Sequence, residues 1–188
     1  MLDWCTLLNL YCGWDGVHHF GDFDAPFHTG SAVANEVYYA RELDNDGQLI
    51  QRKLSIEDLL RQYPLSILQA STHDEMGLLV KLASRLDDGE AEGLAIAACR
   101  GYTFCSDDSL VEKVVTSERI QVKIISTAEL LQMWAGASAE KAEKMPSVIH
   151  RITKLGRFTP NKSSPHFEWW SRQLNQPPPR SARVGASA

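Results

Sequence analysis

Asp87-Asp-Gly-Glu-Ala-Glu-Gly-Leu-Ala-Ile-Ala-Ala-Cys-Arg-Gly-Tyr-Thr-Phe-Cys-Ser-Asp-Asp108 reads as a helix, a stop and a strand that runs into acids. The opening acids suit a helix N-terminus, Leu94, Ala95, Ala98 and Cys99 share one helical face, and Gly101 is the residue type that ends a helix in the left-handed conformation. Tyr102 to Cys105 then forms a short strand of the buried type. The same alternation continues on both sides. Leu65-Ser-Ile-Leu-Gln-Ala70 is a strand, and Thr72-x-x-Glu75 is a capping box opening a helix over Met76 to Leu86. Ser109-x-x-Glu112 caps the next helix, Gln121-Val-Lys-Ile-Ile125 is a strand, and Ser126-x-x-Glu129 caps a helix carrying Leu130, Leu131 and Trp134. Strands separated by helices imply an α/β fold with a parallel sheet.

Outward from this core the pattern is less regular. Leu7 to Tyr11 is an apolar stretch, residues 15–28 form a loop rich in His and Asp, Ser31 to Glu42 is expected to be helical, and Ser55-x-x-Asp58 caps one more short helix. Beyond Met145 regularity is expected to fade, which divides the chain into a domain over residues 1–145 and a basic extension over 146–188. Pro, Ser, Gly and Ala dominate the end, so the last ~15 residues are expected to be disordered.

The chain has 188 residues, 44% hydrophobic and 23% charged, which suffices for one domain with a proper core. No apolar run approaches the ~18 residues of a membrane span, and Asp3 stands where a secretion signal would need basic then apolar residues, so a cytoplasmic protein is expected. Cys5, Cys12, Cys99 and Cys105 form no C-x-x-C pair. Residues 150–188 hold seven Lys/Arg against Glu168 alone, leaving 12 basic and 23 acidic residues ahead of them. The body is acidic and the tail basic.

In an open α/β sheet, ligands collect at the carboxyl ends of strands, which points to Ser106-Asp107-Asp108. Helix capping or a solvated turn would also explain that pair, although Ser109 is expected to supply the cap itself. Glu90 and Glu92 suit a helix N-terminus, and Glu92 shares its side with Ala95, Ile96 and Cys99. No Lys or Arg lies within four residues of Glu92, so a metal ion is one candidate partner. Asp3 can cap the first helix and Glu36 can be a solvated helix residue. Taken together, these acids suit a hard divalent cation, Mg²⁺ or Mn²⁺, because no phosphate-binding Gly loop or nucleophilic Ser elbow accompanies them.

The order of Leu2-Asp3, Leu7-Leu8-Asn9-Leu10, Val33-x-x-Glu36-Val37, Asp88-Gly-Glu-Ala-Glu-Gly-Leu-Ala-Ile-Ala97, Phe104-Cys-Ser-Asp-Asp108 and Val122-Lys-Ile-Ile-Ser-Thr127 resembles a PIN domain over about residues 1–135. The resemblance implies a three-layer α/β/α domain with a central parallel sheet, whose acids bind Mg²⁺ or Mn²⁺ and hydrolyse RNA. Many relatives are toxins of toxin-antitoxin pairs. Carried over by position, the catalytic set is Asp3, Glu36, Glu92 and Asp108, with Glu90 and Asp107 as further metal ligands and Ser106 supporting them. Within the third pair Glu92 is favoured; Asp107 and Asp108 stay open. The chain departs from the pattern at its start, since Met1 and Leu2 alone precede Asp3 where a sheet strand normally supplies about 4–6 residues. The first strand is therefore very short, or the start is truncated.

Arg151, Lys154, Arg157 and Lys162, interleaved with aromatic residues, are candidates for RNA phosphate contacts; packing of that tail on the body is the competing explanation. An antitoxin or a second copy of the chain is a further possible partner. A PIN-like scaffold that binds without cleaving is the alternative function. His18, His19, Asp22, Asp24 and His28 could suggest zinc, but a polar surface loop fits better because no H-x-x-x-H or Cys pairing accompanies them. A dehalogenase-type phosphatase is disfavoured because Cys5 stands where a second acid is needed.

Overall fold

A computed structural model describes residues 1–14, 19–35, 38–44, 46–56, 59–60 and 64–176. The chain is a mixed α/β structure of short parallel strands and helices. The elements after residue 64 follow the expected alternation. Strand β4 (Leu65–Leu68) leads to helix α3 (His73–Leu82), α4 (Asp88–Arg100), β5 (Thr103–Cys105), α5 (Ser109–Glu118), β6 (Lys123–Ile125) and α6 (Thr127–Gly136). Thr72 and Glu75 form the capping box at α3, Asp87 caps α4 by accepting from the Glu90 N–H, and Ser126 caps α6 by accepting from the Glu129 N–H. α3 starts at its cap and ends at Leu82, four residues short of the expected Leu86. Gly101 closes α4 with φ 69°, a conformation that glycine adopts without a Cβ clash.

The first third builds the centre of the sheet. Helix α1 (Trp4–Trp14) covers the Leu7–Tyr11 stretch, and β1 (Phe27–Gly30) pairs in parallel with β4, Phe27 opposite Leu65. β5 pairs in parallel with β6, Thr103 opposite Lys123. Leu2 joins these two pairs, bridging in parallel to Thr29 on one side and Cys105 on the other. The order across the sheet is therefore β4, β1, Leu2, β5, β6. The Leu2 N–H donates to the His28 carbonyl at 2.8 Å, and the Cys105 N–H donates to the Met1 carbonyl at 2.8 Å. The central strand is as short as Met1 and Leu2 imply.

Two expectations are corrected. The helix expected over Ser31 to Glu42 is confined to α2 (Ser31–Ala34); β2 (Tyr38–Leu43) follows and pairs antiparallel with β3 (Leu49–Leu54). Asp44 makes the turn, its Oδ1 accepting from the Asp46 and Gln48 N–H groups, and Gly47 takes φ 75°. An Asp-Gly pair between β-prone segments is a hairpin signal. Past Met145 the chain also stays regular. Helix α7 (Ala139–Arg151) runs through Pro146 into a π-helical turn over Ile152–Gly156, and α8 (Phe167–Leu174) follows. Pro146 reads as a helix breaker in sequence because it lacks an N–H, yet it is buried inside α7. The boundary expected between 145 and 146 thus falls within a helix. The tail expected to be disordered lies outside the described residues from 177 onward, as does Asp58 of the expected Ser55 cap; the Leu59 N–H donates to the Ser55 carbonyl.

The apolar core has two main parts. Leu7, Leu10 and Trp14 of α1 pack with Leu131 and Trp134 of α6, Met145, Val148 and Ile149 of α7, and Trp170 of α8. The second part gathers Leu82, Leu94, Ile96, Phe104, Val111 and Val114. Gly93 lets α4 lie directly on β5, since a Cβ there would stand 2.9 Å from the Phe104 ring. Among the described residues no helix is long and apolar enough to cross a membrane.

Candidate functional site

Parallel strands bring all their carboxyl ends to one edge, so Asp3 after Leu2, Ser106 and Asp107 after β5, and Ser126 after β6 lie along one rim. Asp3 is 3% exposed. Its N–H continues the sheet to the Cys105 carbonyl, and its Oδ1 caps α1 by accepting the Thr6 N–H at 2.6 Å. The helix-capping explanation for Asp3 therefore holds geometrically. It does not exhaust the residue, because burial pushes the carboxyl up to about 6 against the hydrogen bonds from Ser106 and Thr6, and Asp107 adds like charge.

Glu90 is half-buried in the first turn of α4 and lines a small cavity of about 90 Å³ with Asp3, Trp4, Cys5, Val33, Asp87 and Gly89. Burial, then the charges of Asp87, Asp108 and Asp3, push it up to about 7. The Cys5 thiol on the same cavity is pushed up to about 12 by desolvation and by the carboxylates of Asp3, Glu90, Asp107 and Asp87. A helix N-terminus normally holds a carboxyl low, so at Glu90 burial and the neighbouring acids outweigh it. The groups acting most strongly on Asp3 and Glu90 include no cation.

Glu92 differs. It is 5% exposed, and its Oε1 accepts from Ser31 Oγ at 2.8 Å and the Ala70 N–H at 3.3 Å, while Oε2 accepts the Ala32 N–H at 2.7 Å. The carboxylate ties the chain after β1 to the chain after β4, and Gly30 is close enough that a Cβ would stand 2.9 Å from Oε2. A metal ion was one candidate partner for Glu92; the partners the structure gives it are backbone and hydroxyl donors from other elements, and residues local in sequence gave no hint of them.

At the end of β5, Asp107 and Asp108 diverge. Asp107 is half-buried; its Oδ1 accepts the Thr127 N–H at 3.0 Å, and its Oδ2 accepts Thr127 Oγ1 and, at 3.4 Å, Asn9 Nδ2. Burial raises its pKa against those bonds. Asp108 is exposed and is itself the cap of α5, accepting the Leu110 N–H at 2.7 Å. That corrects the cap expected at Ser109, which is the first helical residue. Ser106 is buried and accepts the Asp108 N–H. Asn9, Thr6 and Thr127 were not anticipated; for Asn9 the signal was present, an amide amid the apolar Leu7-Leu8-Asn9-Leu10.

Glu36 lies outside the described residues, as does His18. His19 and Asp22 are occupied by packing: Asp22 Oδ2 accepts from Trp134 Nε1 at 2.8 Å and meets His19 Nδ1 at 3.0 Å and Lys141 Nζ at 3.2 Å. His28 Nδ1 meets Ser66 Oγ at 2.6 Å. Of the basic candidates, Arg151 is half-buried and donates from Nε to the Cys12 carbonyl, whereas Lys154, Arg157 and Lys162 are exposed. Trp170 is fully buried, so the tail aromatics do pack on the body.

The donor chemistry at Asp3 and Glu90 fits a hard divalent cation, with oxygen ligands whose charge is otherwise uncompensated. Among the described residues, however, no group of three His, Cys, Asp or Glu is drawn together closely enough to hold one. Comparisons with family models, curated proteins and solved structures return no match for this chain.

Proposed function

We propose that the chain is a divalent-cation-dependent ribonuclease on a three-layer α/β/α, PIN-like fold. The observation that carries this is the pair Asp3 and Glu90 on one cavity at the strand ends, both held well above the ordinary carboxylate range, by burial first and then by like charge, from Asp107 at Asp3 and from Asp87, Asp108 and Asp3 at Glu90. The two-part core supports the three layers, with α1, α6 and α7 packed in one part and α4 and α5 in the other. Asp3, Glu90 and, from the next strand, Asp107 or Asp108 are the residues that would hold Mg²⁺ or Mn²⁺; Glu36 is retained from the resemblance. Such an ion would neutralise charge as water attacks a phosphodiester in line. Ser106 orients Asp3 by hydrogen bonding, and Thr127 and Asn9 fix Asp107. A toxin of a toxin-antitoxin pair is the biological setting this proposal favours.

The test is cleavage of a labelled RNA panel with Mn²⁺, Mg²⁺ or EDTA by wild type, Asp3→Asn, Glu90→Gln and Asp108→Asn. Asparagine retains the capping oxygen at positions 3 and 108, so those variants should fold. Metal-dependent cleavage should fall by about two orders of magnitude or more in Asp3→Asn and Glu90→Gln, given the several kcal/mol such an ion supplies. A folded wild type that cuts nothing overturns the proposal. It would favour instead the binding scaffold, for which the protein-satisfied Glu92 and the absence of a gathered metal set among the described residues already speak.

A further inference from the structure

A second cleft, of about 260 Å³, lies over the ends of β5 and β6 with Asp107 in its wall. Its opposite wall comes from the segment between the π-helical turn and α8, which contributes Phe158, Pro160, Asn161 and Ser163, while Glu112 reaches in from α5. This segment is built. Phe158 sets its ring edge against the buried Trp170, centroids 5.4 Å apart at 84°, and Pro160 is buried. Asn161 Oδ1 accepts from both the N–H and the Oγ of Ser163, each at 3.1 Å. That leaves the Asn161 amide NH₂ as a donor and the Glu112 carboxylate as an acceptor, both on side chains exposed at the cleft.

We propose that this cleft is a pocket for one unpaired guanine of the RNA, next to the bond that is cut. The inference rests on the ribonuclease proposal, since it gives that site its substrate preference. The volume suits one base and is below the usual range for drug-sized ligands. A base held there must be out of a duplex, because only unstacked bases offer both a face and an edge. Phe158 and Pro160 supply apolar surface for the face. At the edge, guanine presents two adjacent N–H donors that a carboxylate accepts together and a carbonyl that an amide NH₂ can donate to. Adenine and uracil lack that donor pair, and cytosine pairs its amino group with acceptors. Exposed Lys162, adjoining Asn161, and Arg157 can meet the neighbouring phosphates.

The experiment compares short single-stranded RNAs carrying one guanine in an adenine background with all-adenine controls. Binding is read by fluorescence anisotropy in EDTA, where nothing is cut, and cleavage is read separately in Mn²⁺. Wild type should prefer the guanine strand, and Glu112→Gln and Asn161→Asp, which keeps the Oδ1 that accepts from Ser163, should lose that preference by about tenfold or more, the worth of one good bidentate pair. In cleavage the loss should appear as a raised KM for the guanine strand, and the melting temperature should not move. Equal binding of both strands by wild type, or unchanged discrimination in both variants, overturns the guanine pocket and leaves the ribonuclease proposal standing. Guanine-selective binding that the variants abolish, with no cleavage in any metal, supports the pocket and overturns the ribonuclease.

Discussion

Glu90 and Glu92 are neighbours along α4 with opposite circumstances: one faces other acids, the other faces only donors. Removing each charge should therefore act in opposite directions. Glu90→Gln relieves like-charge repulsion and should raise the melting temperature of the metal-free protein near neutral pH while abolishing stabilisation by Mn²⁺. Glu92→Ala strands the Ala32 and Ala70 N–H groups and the Ser31 hydroxyl, at about 1–3 kcal/mol for each buried donor left unmade. Urea denaturation of the two variants checks both. A Glu92→Ala protein as stable as wild type would mean that the clamp contributes nothing. At this scale the sequence located the acids but not the donors that surround Glu92, because helical periodicity reports which side a residue lies on and not which distant loops meet it there. Asp87 caps α4 and, three residues away, also adds like charge to Glu90, whereas the charges of Asp3 and Asp108 on Glu90 come from other elements.

Among the elements, those announced by local chemistry were legible. The caps at Thr72, Asp87 and Ser126 and the stop at Gly101 act within one helical turn, so a short window contains the whole cause. The hairpin of β2 and β3 also carries a local signal, the turn at Asp44 to Gly47, whereas the run through the buried Pro146 depends on packing outside any such window. Trp170 shows how far the tail belongs to the body: it is fully buried, its Nε1 donates to Thr153 Oγ1 at 3.2 Å, and it packs in the core of α1 and α6. Trp170→Ala should destabilise the whole chain by about 3–5 kcal/mol, as for other buried aromatic truncations. A single cooperative transition shifted by that amount is the expected outcome. A loss well below 1 kcal/mol would instead mark residues 146–176 as an appendage.

For the molecule as a whole, the raised acids give stability a pH dependence of definite sign. Asp3 at about 6 and Glu90 at about 7 bind protons in the folded state that the unfolded chain, with carboxyls near their ordinary values of about 4, has already released. Their contribution is full below about pH 4 and is lost as pH climbs to about 7. In EDTA the melting temperature should thus fall between about pH 5 and pH 7.5, and Mn²⁺ should restore more of it at the higher pH. Glu75, held down to about 2 by Arg100, changes stability below that window. His28, whose pKa burial lowers, opposes the trend over part of it. A melting temperature that rises steadily from about pH 5 to 7.5 in EDTA would contradict the raised pair.

The bridge through Leu2 also sets an order of events during synthesis. Its partners are Thr29 and Cys105, so the pair β1–β4 and the pair β5–β6 share no seam until Cys105 has left the ribosome. Until then the apolar faces of α1 and β1 have no complete sheet to cover them, and contacts this distant in sequence close slowly. The nascent chain therefore leaves those faces without their full partners for more than half of its synthesis, and Asp107 joins Asp3 along the rim only when the second half of the sheet docks.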